Sequence, residues 1–398
     1  NIHKVFYPAS ITKILTALVA LENSSMNEIV TFSHEAIFDV DLNSSRIGID
    51  VNEQLTMEQC LYAIMLASAN EVCYAVAEHI AGDVPSFTKL MNEKAKELGA
   101  INSNFTNPHG LPDPDHYTTA YDMAMIAKGA IENEEFQNIT QTRTYSIPPT
   151  NIQEETRYLA NHHKFIKNDI PFDGVIGGKT GFTSLAKYTL VTYAKRDDMT
   201  LISVIMHCPS VKDEYDDTSN LLNHAFDNFD IYNIDEVDTL VDDIDFFSKY
   251  HSFFNSSNTP LEVSQNGKII LPKNMTISDT EKNIELIPLT ELVEGKNKIG
   301  QITYSYNNQP IGKSDIIFNN INSLSLLQSL YVDAPAVTEE NTNKPAESKE
   351  NKDSKKPIII GVTVGAIVFI LGLILIFSPF KKASKRRRYR SRKSRRFK

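Results

Sequence analysis

Cysteine is scarce in this chain. Three occur in 398 residues, Cys60, Cys73 and Cys208, with no CxxC pair and no Cys/His cluster at ligand spacing. An odd, sparse set excludes a complete disulfide framework. The thiols read as buried and free, since cysteine behaves as a small hydrophobe. Metal ligands are equally scarce: His162-His163 stands alone and reads as surface. No metal and no cofactor is expected. A starting methionine and a signal peptide are also missing. The chain begins at Asn1, which reads as a processed chain or a fragment.

Basic residues are few until the very end. Lys381 to Lys398 holds 12 of the 40 Lys/Arg and no acid. Setting these aside leaves 28 basic against 50 acidic residues, a net of −22 for everything before. Such a body repels phosphate, so nucleic acid is not an expected partner. With 41% hydrophobic and 23% charged residues, there is material for two ordinary domains and a sizeable core.

Charge is absent from Ile358 to Phe377, a run of 20 residues. As a helix it spans about 30 Å, the hydrocarbon thickness of a bilayer. The basic residues that follow predict a cytoplasmic tail attracted to anionic membrane lipid, with everything before the span outside. Asp333 to Lys356 has almost no large apolar residue and reads as a disordered tether. Its 24 residues cover roughly 27 Å as a flexible coil.

The remaining chain divides by pattern. Residues 1–230 mix helical and strand periodicities. Ile11, Ile14, Leu15, Leu18 and Val19 form one apolar helical face. Leu61–Leu66 and Val72–Ile80 are apolar helical runs interrupted by Ser68-Ala69-Asn70, and Ser86–Leu98 is amphipathic and stops at Gly99. Ala120–Ile131 and Asp216–Phe229 read as helices. Tyr188–Ala194 and Met199–Met206 read as strands joined by a turn. Residues 231–332 are β-rich, with Asn266-Gly267 and Asn307-Asn308-Gln309 as two hairpin signals. The organisation expected is 1–230 catalytic, 231–332 β-rich accessory, 333–356 linker, 357–378 transmembrane helix and 379–398 cytoplasmic tail. The fold class expected is α/β (α+β), an antiparallel sheet flanked by helices.

Three short motifs fall in one order in the first domain: Ser10-Ile11-Thr12-Lys13 (SxxK), Ser68-Ala69-Asn70 (SxN) and Lys179-Thr180-Gly181 (KTG). Each alone is common. Their order inside one domain is a strong signal. Ser10 sits near a helix N-terminus after Pro8, where backbone N–H groups and the helix dipole face an electrophile. Lys13 follows at i+3 on the same face. A serine needs a base to become nucleophilic. A buried lysine beside a second cation such as Lys179 can be that base. Ser68 can relay a proton, and Asn70 can hold substrate and Lys13. The glycines of the KTG stretch allow an extended peptide to approach a strand edge.

YPASITKILTALVALE, the SxN and GGKTGFT, with MNEKAKELGA and NPHGLPDPDHYTTAYDMAMIA between them, resemble the serine D-alanyl-D-alanine carboxypeptidases. These are the low-molecular-mass penicillin-binding proteins of the SxxK acyltransferase superfamily. The resemblance covers residues 1 to about 230 and extends loosely into the β domain. It implies a β-lactamase/transpeptidase-like fold. It implies removal of the terminal D-Ala from peptidoglycan pentapeptide through an acyl-serine, with β-lactam antibiotics as inhibitors. Carried over by position, Ser10 is the nucleophile, Lys13 the base, and Ser68 and Asn70 the second catalytic motif. Lys179, Thr180, Gly181, Phe182 and Thr183 bind substrate, with the N–H groups of Ser10 and Phe182 as oxyanion hole. His109 supports the cleft.

The chain departs from the family in three ways. Only nine residues precede Ser10, where the family has a signal peptide and a β-hairpin. Val211–Asp217 offers only Lys212 and acids, where the family often has an arginine. The anchor is a spanning segment rather than an amphipathic helix. A β-lactamase remains a rival, although its ExxxN, matched by Glu134–Asn138, lies much further past the SxN than in that family and in an acidic stretch, and reads as chance. So do a transpeptidase and a non-catalytic wall-binding scaffold.

Overall fold

The computed structural model describes residues 1–238, 261–287 and 295–320. They belong to one compact unit. The predicted tether, membrane span and basic tail lie outside the described residues. Among the described residues, no helix is long and apolar enough to cross a membrane.

The chain opens with β1 (Val5–Phe6) and a 3-10 turn at Ala9–Thr12 that runs into α1 (Lys13–Asn23). Every residue of α1 from Lys13 to Ala20 is buried. This is the central helix, covered on several sides, and not a surface helix with one apolar stripe. Strand β2 (Ile29–Thr31), α2 (His34–Phe38) and β3 (Gln54–Thr56) follow. Helix α3 (Met57–Leu66) begins at a Thr56/Gln59 capping box, and α4 (Asn70–Ala81) stops at Gly82, whose φ is +84°. Helix α5 (Val84–Glu97) is capped by Asp83, and its Pro85 sits in the first turn, where no N–H is required. After β4 (Thr118–Thr119), α6 (Ala120–Ile131) has the bounds predicted for it, and α7 (Glu134–Gln141) is capped by Asn133. Helices α3 to α7, apart from their exposed faces, close around α1 in one apolar core.

A short ladder of β5 (Thr144–Ile147) and β6 (Arg157–Ala160) and the one-turn α8 (Lys164–Lys167) lead to the main sheet. Its strands β7 (Val175–Thr183), β8 (Lys187–Arg196) and β9 (Met199–Cys208) are antiparallel neighbours in that order. Alternation decides what each face meets. Val191 and Tyr193 join the helical core, while Leu190 packs with Phe165 and Tyr215. Tyr215 belongs to α9 (Val211–Asn228), which starts five residues before the predicted Asp216. The Ser210 side chain accepts from Asp213 N–H, and Asp213 and Glu214 suit the positive end of the helix. The three cysteines are free and buried, as expected.

The second sheet begins with β10 (Phe229–Asn233), followed by α10 (Ile234–Val237). Its other strands are β11 (Leu261–Val263), β12 (Lys268–Pro272), β13 (Glu281–Leu286), β14 (Gly295–Tyr306) and β15 (Gln309–Asn320). The order is β10-β12-β15-β14-β13, with β11 also on β15, over a core of Ile269, Leu271, Ile302, Tyr304 and Ile316. The hairpin predicted at Asn307-Asn308 is present; both residues have positive φ, +51° and +60°, which a tight antiparallel turn requires.

The hairpin predicted at Asn266-Gly267 is not there. Strands β11 and β12 do not pair with each other; both pair with β15, in the same direction along it. The Asn-Gly pair instead makes an excursion in one edge. A Cβ on Gly267 would lie 2.2 Å from the Ser314 side chain, so the glycine lets this excursion press against β15.

Candidate active site

The 3-10 turn holds Ser10 in an unusual backbone setting. Ala9 has φ +52°, a conformation that costs a residue with a Cβ. Packing over-determines it. Thr189 Oγ1 donates to the Pro8 carbonyl at 2.9 Å. A Cβ on Gly110 would stand 1.9 Å from the Ala9 carbonyl oxygen, and one on Gly181 would stand 2.8 Å from the Ser10 nitrogen. Two glycines thus let the 107–111 loop and β7 close on the turn from either side, and the Gly181-Phe182 segment lies against the Ser10 amide.

Lys13 sits at the next turn and is fully buried. Its Nζ donates to Ser10 Oγ at 2.9 Å, Asn70 Oδ1 at 2.6 Å and the His109 carbonyl at 2.6 Å. All three donor positions of the ammonium have acceptors, so the lysine cannot swing away without losing them. Burial pushes its pKa from 10.5 down to about 8, while the Cys73 thiol and the Glu71 carboxyl pull back up. Lys179 is 2% exposed, and its Nζ donates to the Thr180 carbonyl at 2.9 Å. Burial, then the Lys13 charge, holds Lys179 well below the ordinary lysine range. Burial thus weakens the proton affinity of both lysines, and the Lys13 charge weakens that of Lys179 further.

Ser68 lies between α3 and α4 with φ +59°, and its Oγ is buried without a protein hydrogen-bond partner. A buried hydroxyl left unpaired is costly, and this one is free to bond a substrate. Asn70 is not in the loop, as the interruption suggested. It opens α4, and its N–H donates to the Ser45 carbonyl at 2.9 Å. The structure therefore brings together Ser10, Lys13 and Asn70 by direct bonds, with Gly181 against Ser10.

The remaining predicted residues line β7. Thr180 is half-buried opposite Leu190. The Phe182 side chain is exposed, with its ring 4.6 Å from that of Tyr188. Thr183 Oγ1 accepts from Ala186 N–H, which closes the β7–β8 turn. His109 acts through its carbonyl on Lys13, while its Nδ1 accepts from Leu111 N–H at 3.2 Å. Burial and the Lys13 charge keep this imidazole neutral.

One expectation changes. His163 is not surface; it is fully buried, bonded through Nε2 to Thr192 Oγ1 at 3.0 Å, and pushed down to about 3 by burial and Lys179. The Glu134–Asn138 pair is exposed on α7, so it offers no carboxylate to a buried acyl group. Lys212 is exposed and paired with Asp216, so it does not replace the family's arginine. Among the described residues, no His/Cys/Asp/Glu group forms a metal site.

Sequence reasoning missed the supports. Thr140 Oγ1 accepts from Gly178 N–H at 3.0 Å and donates to Gly178 C=O at 2.9 Å, fixing β7 two positions before Thr180. Asn161 ties its segment to the Thr140 and Thr142 carbonyls. His116 accepts from Thr106 N–H through Nδ1 and so donates from Nε2 to Thr12 Oγ1 at 2.9 Å. The signal available was the number of polar residues next to motifs in apolar context.

The family model described as D-alanyl-D-alanine carboxypeptidase, peptidase S11, matches residues 1–210. The D-alanyl-D-alanine carboxypeptidase DacF of Bacillus subtilis is 31% identical over 72% of this chain and 72% of its own length. DacA of Haemophilus influenzae is 30% identical over 82% of this chain and 81% of its own. The crystal structure of penicillin-binding protein 5 from Haemophilus influenzae aligns with a TM-score of 0.62 at 27% identity, covering 80% of this chain and 91% of that one. The Streptomyces K15 DD-transpeptidase aligns over 57% of this chain and 90% of its own, at 29% identity and a TM-score of 0.53. Fold and relatives together define a serine-type hydrolase of the penicillin-recognising superfamily. The chain belongs to the D-alanyl-D-alanine carboxypeptidase family, whose work lies in cell-wall metabolism.

Proposed function

We propose that Ser10 is the nucleophile that removes the terminal D-Ala from peptidoglycan pentapeptide. The observation that carries this is the 2.9 Å bond between Ser10 Oγ and a fully buried Lys13. Neutral Lys13 takes the Ser10 proton as Oγ attacks the carbonyl of the penultimate D-Ala. The N–H groups of Ser10 and Phe182 hold the oxyanion, worth about 3 kcal/mol each. The C–N bond then breaks. Ser68 passes a proton to the departing amine, D-Ala leaves, and water hydrolyses the acyl-Ser10. Lys179 and Thr180 hold the substrate carboxylate, with Thr183 beside them, and Asn70 keeps Lys13 and the peptide backbone aligned.

A β-lactam enters the same path. Attack of Ser10 opens the ring, the leaving nitrogen stays tethered, and the adduct blocks the site. Glu134 lies on the surface, which favours slow release of that adduct over a β-lactamase cycle. A transpeptidase shares the acyl-enzyme and differs in using an amine acceptor. The catalytic part faces the wall outside the plasma membrane. Ile358–Phe377 spans the bilayer, and the basic tail lies against anionic lipid inside; the support is the charge pattern alone.

The test is release of free D-Ala from a pentapeptide ending in D-Ala-D-Ala. Activity lost in Ser10→Ala supports the reading. Activity retained in that variant removes Ser10. Transfer to an added amine that outruns hydrolysis would make it a transpeptidase.

A further inference from the structure

Glu71 is a fully buried acid in the first turn of α4, next to Asn70. Its Oε1 accepts from Ile47 N–H at 2.7 Å, and the neighbouring Asn70 N–H donates to the Ser45 carbonyl at 2.9 Å. The 45–47 loop therefore grips the first two residues of α4 with bonds of opposite sense. This grip sets the rotation of Asn70, whose Oδ1 holds Lys13 at 2.6 Å. The second oxygen, Oε2, is buried without a protein hydrogen-bond partner. A residue serving the loop alone needs neither that oxygen nor a charge, and an asparagine or glutamine would suffice.

We propose that Glu71 is a positioning residue with two roles: it holds Asn70 against Lys13 through the 45–47 loop, and it is the buried anion that stabilises the Lys13 ammonium formed during acylation. The inference rests on the reading of Lys13 as base. Such a charge suits the chemistry. When the Ser10 proton reaches Lys13, a cation appears inside a dry site that already holds Lys179. Carbonyls can solvate that cation, but a carboxylate stabilises it far more.

The charged groups around Glu71 and Lys13 fit this role. Lys13 of α1 lies within electrostatic range of Glu71 and of the neutral Cys73 thiol on the same helix as Glu71, Arg46 of the loop acts on Glu71, and Lys179 of β7 and the neutral His109 lie within range of Lys13. Burial raises the Glu71 pKa. The Ile47 and Gly48 N–H groups, its own N–H at the helix N-terminus and the Arg46 charge oppose that rise and favour the anion.

The two roles separate in two substitutions. Glu71→Gln keeps an acceptor for Ile47 N–H and removes the charge; Glu71→Ala removes both. The measurement is the second-order rate of acylation of the full chain by a fluorescent penicillin across pH. Without the anion, Lys13 deprotonates more readily and is a weaker base. Glu71→Gln should therefore move the acid limb of the profile down by on the order of one pH unit, with a lower plateau. Its thermal unfolding should stay close to the parent. Glu71→Ala should show the same displaced limb with a plateau lower still, because Asn70 loses its anchor. A Glu71→Gln limb that coincides with the parent's overturns the proposal and leaves Glu71 a loop anchor. No labelling of the parent at all would overturn this proposal and the reading of the site together.

Discussion

Substituting Gly181 by alanine tests how closely β7 must approach Ser10. The added Cβ would lie 2.4 Å from Thr189 Oγ1, 2.8 Å from the Ser10 nitrogen and 3.2 Å from Ala9 Cβ. Favourable heavy-atom contact begins near 3.5 Å, so the strand or the turn must yield by at least about 0.5 Å. Little can give way. Thr189 is fully buried and its hydroxyl already bonds the Pro8 carbonyl. The Ser10 nitrogen is backbone, and Ala9 is pinned from the other side by Gly110. The displacement must fall on the Ser10 and Phe182 amides, whose spacing defines the proposed oxyanion hole. Losing one such donor costs about 3 kcal/mol, or 10²–10³ in rate. The overpacking should also cost roughly 1–3 kcal/mol of stability. Stopped-flow acylation by a chromogenic cephalosporin, with thermal unfolding in parallel, reads both effects. Acylation at the parent rate by a folded Gly181→Ala protein would refute the oxyanion assignment.

Two further outcomes follow from the electrostatics. Acylation needs Lys13 neutral, and its pKa is about 8. The acylation rate should therefore rise with pH through about 8; a profile flat from pH 6 to 9 would contradict Lys13 as base. Away from the site, Arg157 donates from Nη1 to the fully buried Glu53 at 2.6 Å. Arg157→Ala strands that carboxylate and should cost about 3–5 kcal/mol in denaturant unfolding. Burial alone would raise the Glu53 pKa, but Arg157, the Asp50 N–H and the Thr150 hydroxyl together hold it below 4.5. Stability from this group is present above about 4.5 and lost as pH falls through the lower folded value. Removing Arg157 should start acid unfolding at higher pH, and an unmoved acid transition would show the pair to be inert.

Much of this was legible because chemistry at fixed spacing leaves a trace in sequence. The i+3 spacing placed Lys13 over Ser10, and the polar break between two apolar runs placed Ser68 and Asn70 together. The helical pattern of Ala120–Ile131 gave α6 its limits. What escaped was carried by backbone atoms or by choice of partner. The His109 carbonyl on Lys13 and the Ser45 carbonyl on Asn70 belong to no residue type. Asn266-Gly267 announces a change of direction without naming the strand that receives it, and that strand was β15. His163 looked like surface because a buried imidazole between Thr192 and Lys179 has no signature until the sheet is built. The missing arginine near Val211 left no substitute in the sequence either; among the described residues there, Lys212 is taken by Asp216.

The central claim is that Ser10 is the residue that forms the covalent bond. Mass mapping of the full chain after brief exposure to benzylpenicillin tests it most directly. The account predicts one penicilloyl group per chain, on the peptide that carries Ser10, and none in a folded Ser10→Ala protein. An adduct on Ser68, or labelling that survives Ser10→Ala, would contradict it.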